Sequence, residues 1–440
     1  MSIYNSKMWQ VFVHLTNDYS DFKTQVKAIC DYAIDRSKYI NISFPFYTLH
    51  DETHMCHVLQ NMYGLLGERV NSLSFKEVAL LILSACCHDI GMSCSNEEKE
   101  DLINHDNRIK TYLKNNLSEY IKYNSKYNPE TYQTISEETF CNFLRSIHHE
   151  RIEELIFARE DLWNNNINQY LDRNTLVQVC KSHGENAGII RGASFDGEAD
   201  LNLVLCSVLL RLADIMDLDC SRAPKSIYEY LGFSDKSTGA IKFSKTEWDI
   251  NFSSNGMQFD SVKDREKPYI LPFKATCRDL TIEQAVNHYL DWIQDELDEC
   301  NRIIQATGNE NRLVIPYKIK RNISKIGYKS GEFQLSLDKE RILSLFSGEE
   351  LYGDGCVFVR ELLQNAIDAV CTMAYYISCK RDWEPCINIS TWIDEEGYYW
   401  FRVDDNGIGM SEATITKYFL SAGSSFYISD EYKKLKIDNM

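Results

Sequence analysis

Histidine side chains are concentrated in one part of the chain, in patterns that are typical of helices. Eight of the ten histidines lie between His50 and His183. His50, His54 and His57 follow spacings of four and three residues, which place them on one face of a helix. Such imidazole groups can bind a divalent metal, although a polar helix face explains this motif equally well when it is taken alone.

The dipeptide His88-Asp89 closes the apolar run EVALLILSACC, which predicts a buried helix that ends at Gly91. Burial of a histidine and an aspartate destabilises a protein unless the two side chains are paired or bind a metal. A buried His–Asp hydrogen bond is therefore the alternative to a metal site.

A second apolar run, LNLVLCSVLLRLADIMDLD, carries Asp214. An ion pair with Arg211, three residues earlier on the same helix face, is the alternative to a metal-binding role. His148 and His183 also lie in helical sequence, in LRSIHHERI and CKSHGE.

A polar stripe and a glycine-containing loop stand out in the C-terminal part. Glu361, Asn365 and Asp368 are spaced i, i+4 and i+7 in VRELLQNAIDAV and form one helix face. The segment VDDNGIGM follows, where Gly407 and Gly409 permit a tight turn and a close approach of the backbone. A solvated helix face and a simple turn explain the two motifs separately, but their occurrence in this order is far less common.

The helices that must hold the histidines can be predicted from hydrophobic periodicity. Residues 1–235 read mostly as helix, and the polar segment 105–135 predicts a surface insertion or lid. Alternating stretches then predict short strands, and a long helix is expected at Thr281–Ala306. The predicted strands are Ala240–Phe243, Trp248–Phe252 and Tyr269–Phe273.

A boundary is predicted at Thr307-Gly308-Asn309, where the period changes again. Helix and strand are mixed beyond it, which indicates an α/β sandwich. The predicted strands are Leu313–Ile319, Glu332–Leu337, Cys386–Ile393 and Tyr398–Asp404, and the predicted helices are Lys339–Phe346 and Gly355–Tyr376.

Length and composition exclude several classes of protein. The chain has 440 residues, with 47 Lys and Arg against 65 Asp and Glu, which gives a formal net charge of −18. Such a charge repels phosphate backbones, so metals must carry any phosphate ligand. No signal peptide is evident, no apolar run reaches the ~20 residues that cross a bilayer, and the 15 cysteines contain no CxxC pair. These features predict a cytoplasmic protein without a membrane partner.

The first set of motifs resembles the HD phosphohydrolase superfamily over about residues 40–225. The matching segments are YTLHDETHMCHV, LSACCHDIGM and LLRLADIMDLD, in this order. The resemblance implies an all-α bundle with a first metal on His54, His88, Asp89 and Asp214, and a second near His148 and His183. The metal would be Mn, Fe, Mg, Zn or Ni. With His88 and Asp89 as catalytic residues, a metal-activated water would hydrolyse a nucleotide or nucleic-acid phosphoester.

The second set resembles the GHKL ATPases, the superfamily of gyrase, the heat-shock chaperone, histidine kinases and MutL. ELLQNAIDA and DDNGIGM match its two boxes, and FQLSLDKERILSLF and SAGSSFY are similar to the chaperone branch. The resemblance implies that Glu361 orients the attacking water, that Asn365 binds Mg²⁺ and that Asp405 accepts a hydrogen bond from the adenine of ATP. Asp368, Gly407 and Gly409 would lie beside the nucleotide.

The superfamily continues with a glycine-rich lid and further strands beyond the point at which this sequence ends, at Met440, and no P-loop occurs elsewhere. We therefore expect a partial ATP site. The chain is a fragment of a longer protein, or the ATP site is degenerate, or another chain completes it. We favour a truncated chain, with ATPase activity only when further sequence completes the domain. The predicted fold class is multidomain α + α/β. It comprises an HD-type bundle at 1–235, a β-containing bridge at 236–310 and a partial GHKL-type sandwich at 311–440.

These features lead to a metal-dependent phosphohydrolase joined to an ATP-binding module that senses ATP or forms a homodimer. The alternative is an ATP-driven, chaperone-like protein that acts on a protein client, with the HD bundle as a scaffold. A third hypothesis, from analogy alone, is a bacterial anti-phage effector, because fusions of these two domains resemble conflict-system components.

Overall fold

The computed structural model describes residues 2–115, 135, 137–191, 200–233, 239–262, 265, 267–329, 336–337, 357–376, 383–394, 397–422, 425–429 and 432. The chain divides into two compact units, Met1–Tyr328 and Lys329–Met440. Most of the predicted insertion at 105–135, the predicted helix Lys339–Phe346 and most of the segment FQLSLDKERILSLF lie outside the described residues.

Helices dominate the first unit, as the periodicity predicts. They are α1 (Lys7–Leu15), α2 (Ser20–Ser37), α3 (Ile40–Ser43), α4 (Glu52–Leu66), α5 (Phe75–Cys87), α6 (Asn96–His105), α7 (Asn107–Asn115), α8 (Glu137–Phe157), α9 (Asn165–Asn168), α10 (Arg173–Ser182), α11 (Leu203–Ile215), α12 (Lys225–Leu231), α13 (Gly239–Ser253) and α14 (Leu280–Ala306). The predicted long helix is confirmed as α14, which begins after Asp279, whose side chain accepts the backbone N–H of Thr281 at 2.7 Å.

Helix α13 replaces two predicted strands, Ala240–Phe243 and Trp248–Phe252, so both predictions are wrong. The buried positions Ser244, Trp248 and Asn251 follow helical spacing. The short alternation around Trp248 imitates a strand, but the indole is fully buried and its Nε1–H donates to the carbonyl of Phe46 at 2.9 Å. Tertiary packing of this one large ring therefore outweighs the local pattern.

A three-stranded sheet completes the first unit. Its strands are β1 (Ser254–Met257), β2 (Ile270–Cys277) and β3 (Lys318–Lys325), with β2 in the centre, antiparallel to β1 and parallel to β3. A parallel pair needs a long crossover, which α14 supplies. The strand predicted at Leu313–Ile319 starts later, at Lys318, because Pro316 has no N–H to donate to a ladder.

Most of the helices share one core. Helix α5 lies at its centre, where every residue from Glu77 to Cys87 is buried, as its all-round apolar sequence predicts. In the part of the chain that the structure describes, no single helix is long and apolar enough to cross a membrane. One bent pair, Phe75–Met92 with Asn96–His105, passes that test on length and composition alone.

The second unit contains a long helix and short strands. They are β4 (Ser336–Leu337), α15 (Val357–Tyr376), β5 (Ile387–Ile393), β6 (Tyr399–Asp405), α16 (Glu412–Thr414) and β7 (Ser421–Ala422). The predicted helix and the two predicted strands after it are therefore present within one or two residues of their expected ends. Strands β5 and β6 pair antiparallel, and β4 pairs with β7 in parallel.

Candidate metal centre

Five elements of the first unit bring the predicted ligands together. His54 lies in the first turn of α4, which begins after Asp51, whose carboxylate accepts the N–H of Thr53 at 2.8 Å. His88 caps the C-terminus of α5, and Asp89 follows it. The remaining ligands come from α8, the end of α10 and the end of α11; they are His148, His183 and Asp214.

His54, His88, Asp89 and Asp214 form a first cluster. The two Nε2 atoms of His54 and His88 are 3.1 Å apart. Both lie 3.3 to 3.5 Å from one oxygen of Asp89, Oδ2, and from Oδ1 of Asp214. The sequence prediction placed these four residues together, and the structure does so.

His148 and His183 form a second cluster on the other oxygen of Asp89. Their Nε2 atoms are 3.0 Å apart, and they lie 3.8 and 3.7 Å from Asp89 Oδ1. Asp89 therefore directs one carboxylate oxygen to each cluster, which makes it the residue that the two clusters share.

The donor atoms fit a divalent metal. Ligand atoms held ~2.0–2.2 Å from one ion, at angles between octahedral and tetrahedral, are roughly 2.8–3.6 Å apart. The pair His54–His88 and the distances from these two histidines to Asp89 and Asp214 satisfy this condition, and so does the histidine pair of the second cluster. His54, His88 and Asp89 are the group whose ligand atoms all lie within 4.8 Å of one another, and Asp214 lies beside its two histidines. Imidazole and carboxylate groups do not select among Mn, Fe, Mg, Zn and Ni.

Each of these histidines has a partner on Nδ1. His88, His148 and His183 contact the carbonyl oxygen three residues earlier in their own helices, those of Ala85, Arg145 and Cys180. Since a carbonyl can only accept, these rings carry hydrogen on Nδ1, and in the neutral form they keep a lone pair on Nε2. That tautomer is the one that a metal on Nε2 requires.

His54 is held differently, by a residue that the sequence analysis did not single out. Its Nδ1 lies 2.6 Å from Asp217 Oδ2, and Nδ1 of His57 lies 2.8 Å from Oδ1 of the same carboxylate. Arg222 Nε is 3.4 Å from Asp217 Oδ2. The only sequence signal for Asp217 is its position three residues after Asp214, one turn further along the same run.

The three histidines expected on one helix face therefore have different positions and partners. His50 precedes the cap of α4, so it does not lie on that helix. Its Nδ1 contacts the carbonyl of Thr48 at 2.7 Å, and its Nε2 accepts from Arg222 at 3.1 Å. Among His50, His54 and His57, only His54 directs a nitrogen at the clusters.

The pKa values of the histidines shift in opposite directions in the two clusters. Burial lowers the pKa of His88, but Asp89 and Asp214 outweigh it and raise that pKa to about 9. Burial, with His183 beside it, lowers the pKa of His148 to about 4, and burial lowers that of His183 as well. Although burial opposes it, His88 holds the pKa of both Asp89 and Asp214 well below the usual range. The carboxylates are therefore ionised, and the second pair of histidines is neutral.

Two further expectations change with the structure. Gly91 does not end α5; it lies in the turn after Asp89, where an added Cβ would be 1.9 Å from the carbonyl oxygen of His148. Arg211 does not pair with Asp214. Its guanidinium binds Glu296 at 2.8 and 2.9 Å and donates to the carbonyls at the end of α10, including that of His183.

The candidate nucleotide residues of the second unit lie on α15 and on the loop after β6. The side chains of Glu361 and Asn365 are exposed, and Asp368 accepts from Gln364 at 3.0 Å. Asp405 ends β6 and accepts the N–H of Gly407 at 2.9 Å, while Gly409 has a positive φ of 64°.

That loop lies directly against the helix. Ile408 N–H donates to the carbonyl of Ala369 at 3.2 Å, and a Cβ on Gly407 would be 2.4 Å from the carbonyl carbon of Ala369. The structure thus brings the glycine loop into contact with the helix that carries the predicted stripe, at Ala369.

One family model, HD-CE, matches residues 44–299, which contain both histidine clusters. None of the curated proteins and none of the solved structures matches the chain.

Proposed function

The chain belongs to the HD-CE family, and on that basis we propose that it is a metal-dependent phosphohydrolase acting on a nucleotide or nucleic-acid phosphoester. The position of Asp89 carries the proposal, because its two oxygens face two separate histidine pairs. A carboxylate in that position can bridge two ions, the arrangement used for in-line displacement at phosphorus.

The side chains of the two clusters hold and orient the reactants. When bound, a pair of divalent ions would activate a water and neutralise phosphate oxygens. His54 and His88 are almost fully buried, whereas the Asp214 side chain keeps 29% of its exposure and that of His148 keeps 15%. A phosphate ester would therefore approach from the side of Asp214 and His148, and the buried pair would exclude water behind it.

Elemental analysis of the purified protein, followed by a hydrolysis screen of nucleotides and short oligonucleotides with the metal found, tests this proposal. We expect bound divalent metal and release of phosphate or a nucleoside monophosphate. The matched control is His14→Gln, which changes an exposed histidine in the last turn of α1 that belongs to neither cluster. A protein that binds no divalent metal and hydrolyses no phosphoester in the screen contradicts the proposal.

We further propose that the second unit binds ATP with Mg²⁺ in the manner of GHKL proteins. The contact of Gly407 with Ala369 supports this, since it places Asp405 beside the helix that carries Asn365 and Asp368. Calorimetric titration with ATP and Mg²⁺ tests it, with Asp405→Asn as the variant and Asp404→Asn as the control. Equal ATP affinity for both variants contradicts this assignment.

The alternative function, an ATP-driven chaperone-like protein with the HD bundle as a scaffold, rests on the same contact of Gly407. It differs in one outcome. If the HD bundle is only a scaffold, the phenotype that the protein produces in cells should persist in the Asp89→Ala variant. If the bundle is a hydrolase, that phenotype should be lost. The third hypothesis, a bacterial anti-phage effector with a nucleotide-cleaving HD domain, rests on analogy alone, and it predicts that Asp89→Ala abolishes the protection of cells against phage.

A further inference from the structure

Asp217 contacts three basic groups although it lies outside both clusters. Its side chain is almost completely buried. Oδ2 is 2.6 Å from Nδ1 of His54 and 3.4 Å from Nε of Arg222, and Oδ1 is 2.8 Å from Nδ1 of His57. Arg222 also donates to the backbone carbonyl of Asp217 at 3.2 Å, which fixes this carboxylate on both its main chain and its side chain.

An ionised carboxylate has acceptors and no donor, so both imidazoles must present Nδ1–H to it. Arg222 Nε, 3.4 Å from Oδ2, supplies the positive charge that a buried carboxylate needs. In its neutral form His54 is thereby left with its lone pair on Nε2, the atom that lies 3.1 to 3.5 Å from the other three groups of the first cluster.

His54 differs from the other three histidines in its partner on Nδ1. His88, His148 and His183 each use a carbonyl of their own helix. The corresponding carbonyl for His54 belongs to Asp51 and accepts the N–H of Met55 at 3.2 Å, whereas the ring of His54 contacts Asp217. A carboxylate partner also makes the imidazole a stronger ligand than a carbonyl does.

We propose that Asp217 is the positioning residue of the first metal site: it fixes the tautomer and orientation of His54, with Arg222 and His57 holding the carboxylate in place. The inference rests on the proposed metal site. His57 has a supporting role, because it contacts Asp217 and not a ligand of the first cluster. Asp217 affects the first metal site alone, because among the described contacts none joins it to the second cluster.

The test compares Asp217→Asn with the wild-type protein and with His14→Gln, which changes an exposed histidine in the last turn of α1. The amide keeps the size of the side chain but can neither attract His54 as a carboxylate does nor accept on both arms. Binding of Mn²⁺ is measured by titration calorimetry on protein stripped with a chelator. We expect the first site of Asp217→Asn to lose about 10–100-fold in Mn²⁺ affinity, the usual cost of removing such a partner. The second site of Asp217→Asn and both sites of His14→Gln should keep their affinities.

A second measurement applies to the wild-type protein, so it does not depend on the folding of a variant. In protein labelled with ¹⁵N-histidine, the signal of His54 is assigned by its loss in His54→Gln. We expect the neutral ring to carry hydrogen on Nδ1. A neutral ring with its hydrogen on Nε2, or an Asp217→Asn variant that binds Mn²⁺ as tightly as the wild type, overturns the inference. A wild type that takes up no Mn²⁺ overturns instead the proposed function.

Discussion

The two candidate sites share one construction and differ in burial. In each, a glycine lets a loop that carries an aspartate lie against a helix that carries further candidate ligands. Gly91 brings the loop of Asp89 to the carbonyl of His148, and Gly407 brings the loop of Asp405 to Ala369. His54 and His88 are buried and the other candidate metal ligands are partly buried, whereas Glu361 and Asn365 on α15 are exposed.

This difference has energetic consequences. Buried side chains are held by packing on all sides, so their arrangement is already set in the folded protein. Exposed side chains lose rotamer entropy only when a ligand orders them. We therefore expect substitutions in the first site to change metal binding and stability together, and substitutions in the second to act mainly on ligand binding.

The largest expected effect is that of Asp89→Ala. Because the carboxylate faces both histidine pairs, its loss should remove metal from both clusters and abolish hydrolysis. Metal content by elemental analysis and phosphate release measure this. His148→Ala serves as the matched variant, since it removes a ligand of the second cluster alone and should leave the first site occupied. Retention of both metals by Asp89→Ala would show that the carboxylate is not shared.

A smaller effect is expected for Gly91→Ala. The new methyl group would meet the backbone carbonyl of His148, which no side-chain rotation can relieve, so the loop of Asp89 must move away from α8. Overpacking of this kind costs about 1–3 kcal/mol. Thermal unfolding should show the loss, and the metal affinity of the second cluster should fall with it. Gly188→Ala is the control, because only the side chain of Asn186 lies near that position.

The sequence was sufficient to find the ligands because the signals were strong and local. A histidine and an aspartate at the end of a helix that is apolar on all sides cannot be solvated, so they had to be a pair or a site. The order of the motifs then supplied His148, His183 and Asp214. All six residues meet in the structure.

The residues that support the ligands could not be found in this way. Asp217 acts across the fold, on two histidines that lie 163 and 160 positions away in the chain. Arg211 has a plausible partner one turn away in Asp214, yet it binds Glu296 on α14. Sequence spacing predicts partners within one helix, but the actual partner depends on which distant helices pack beside it. The same limit explains α13, where the burial of Trp248 outweighs an alternating pattern.

A still smaller effect, confined to the second unit, is expected for Gly407→Ala. A Cβ there would be 2.4 to 2.6 Å from backbone and Cβ atoms of Ala369, so the loop of Asp405 must separate from α15. We expect weaker ATP binding by calorimetry with unchanged metal content in the first unit. A fall in metal content would mean that the two sites are coupled. It would contradict the expectation that a substitution in the second unit acts on ATP binding alone.

The smallest expected effect concerns the alkylation of cysteine thiols, whose rates report the difference in burial between the two units. The thiolate is the nucleophile in alkylation. Burial raises the pKa of the Cys87 and Cys180 thiols well above the usual value, so raising the pH from about 7 to 9 should leave them protonated and unreactive. Cys371 and Cys386 of the second unit are exposed, so iodoacetamide should reach both thiols in the native protein.

Peptide mass spectrometry after brief treatment with iodoacetamide separates these sites, and exposed Cys220 provides a reference within the first unit. Protection of Cys87 and Cys180 should persist until the first unit unfolds, because both thiols lie in the core beside the helices that carry His88 and His183. Alkylation of Cys87 as fast as that of Cys371 in the native protein would mean that this core opens readily. The metal ligands would then owe their arrangement to the metal rather than to packing.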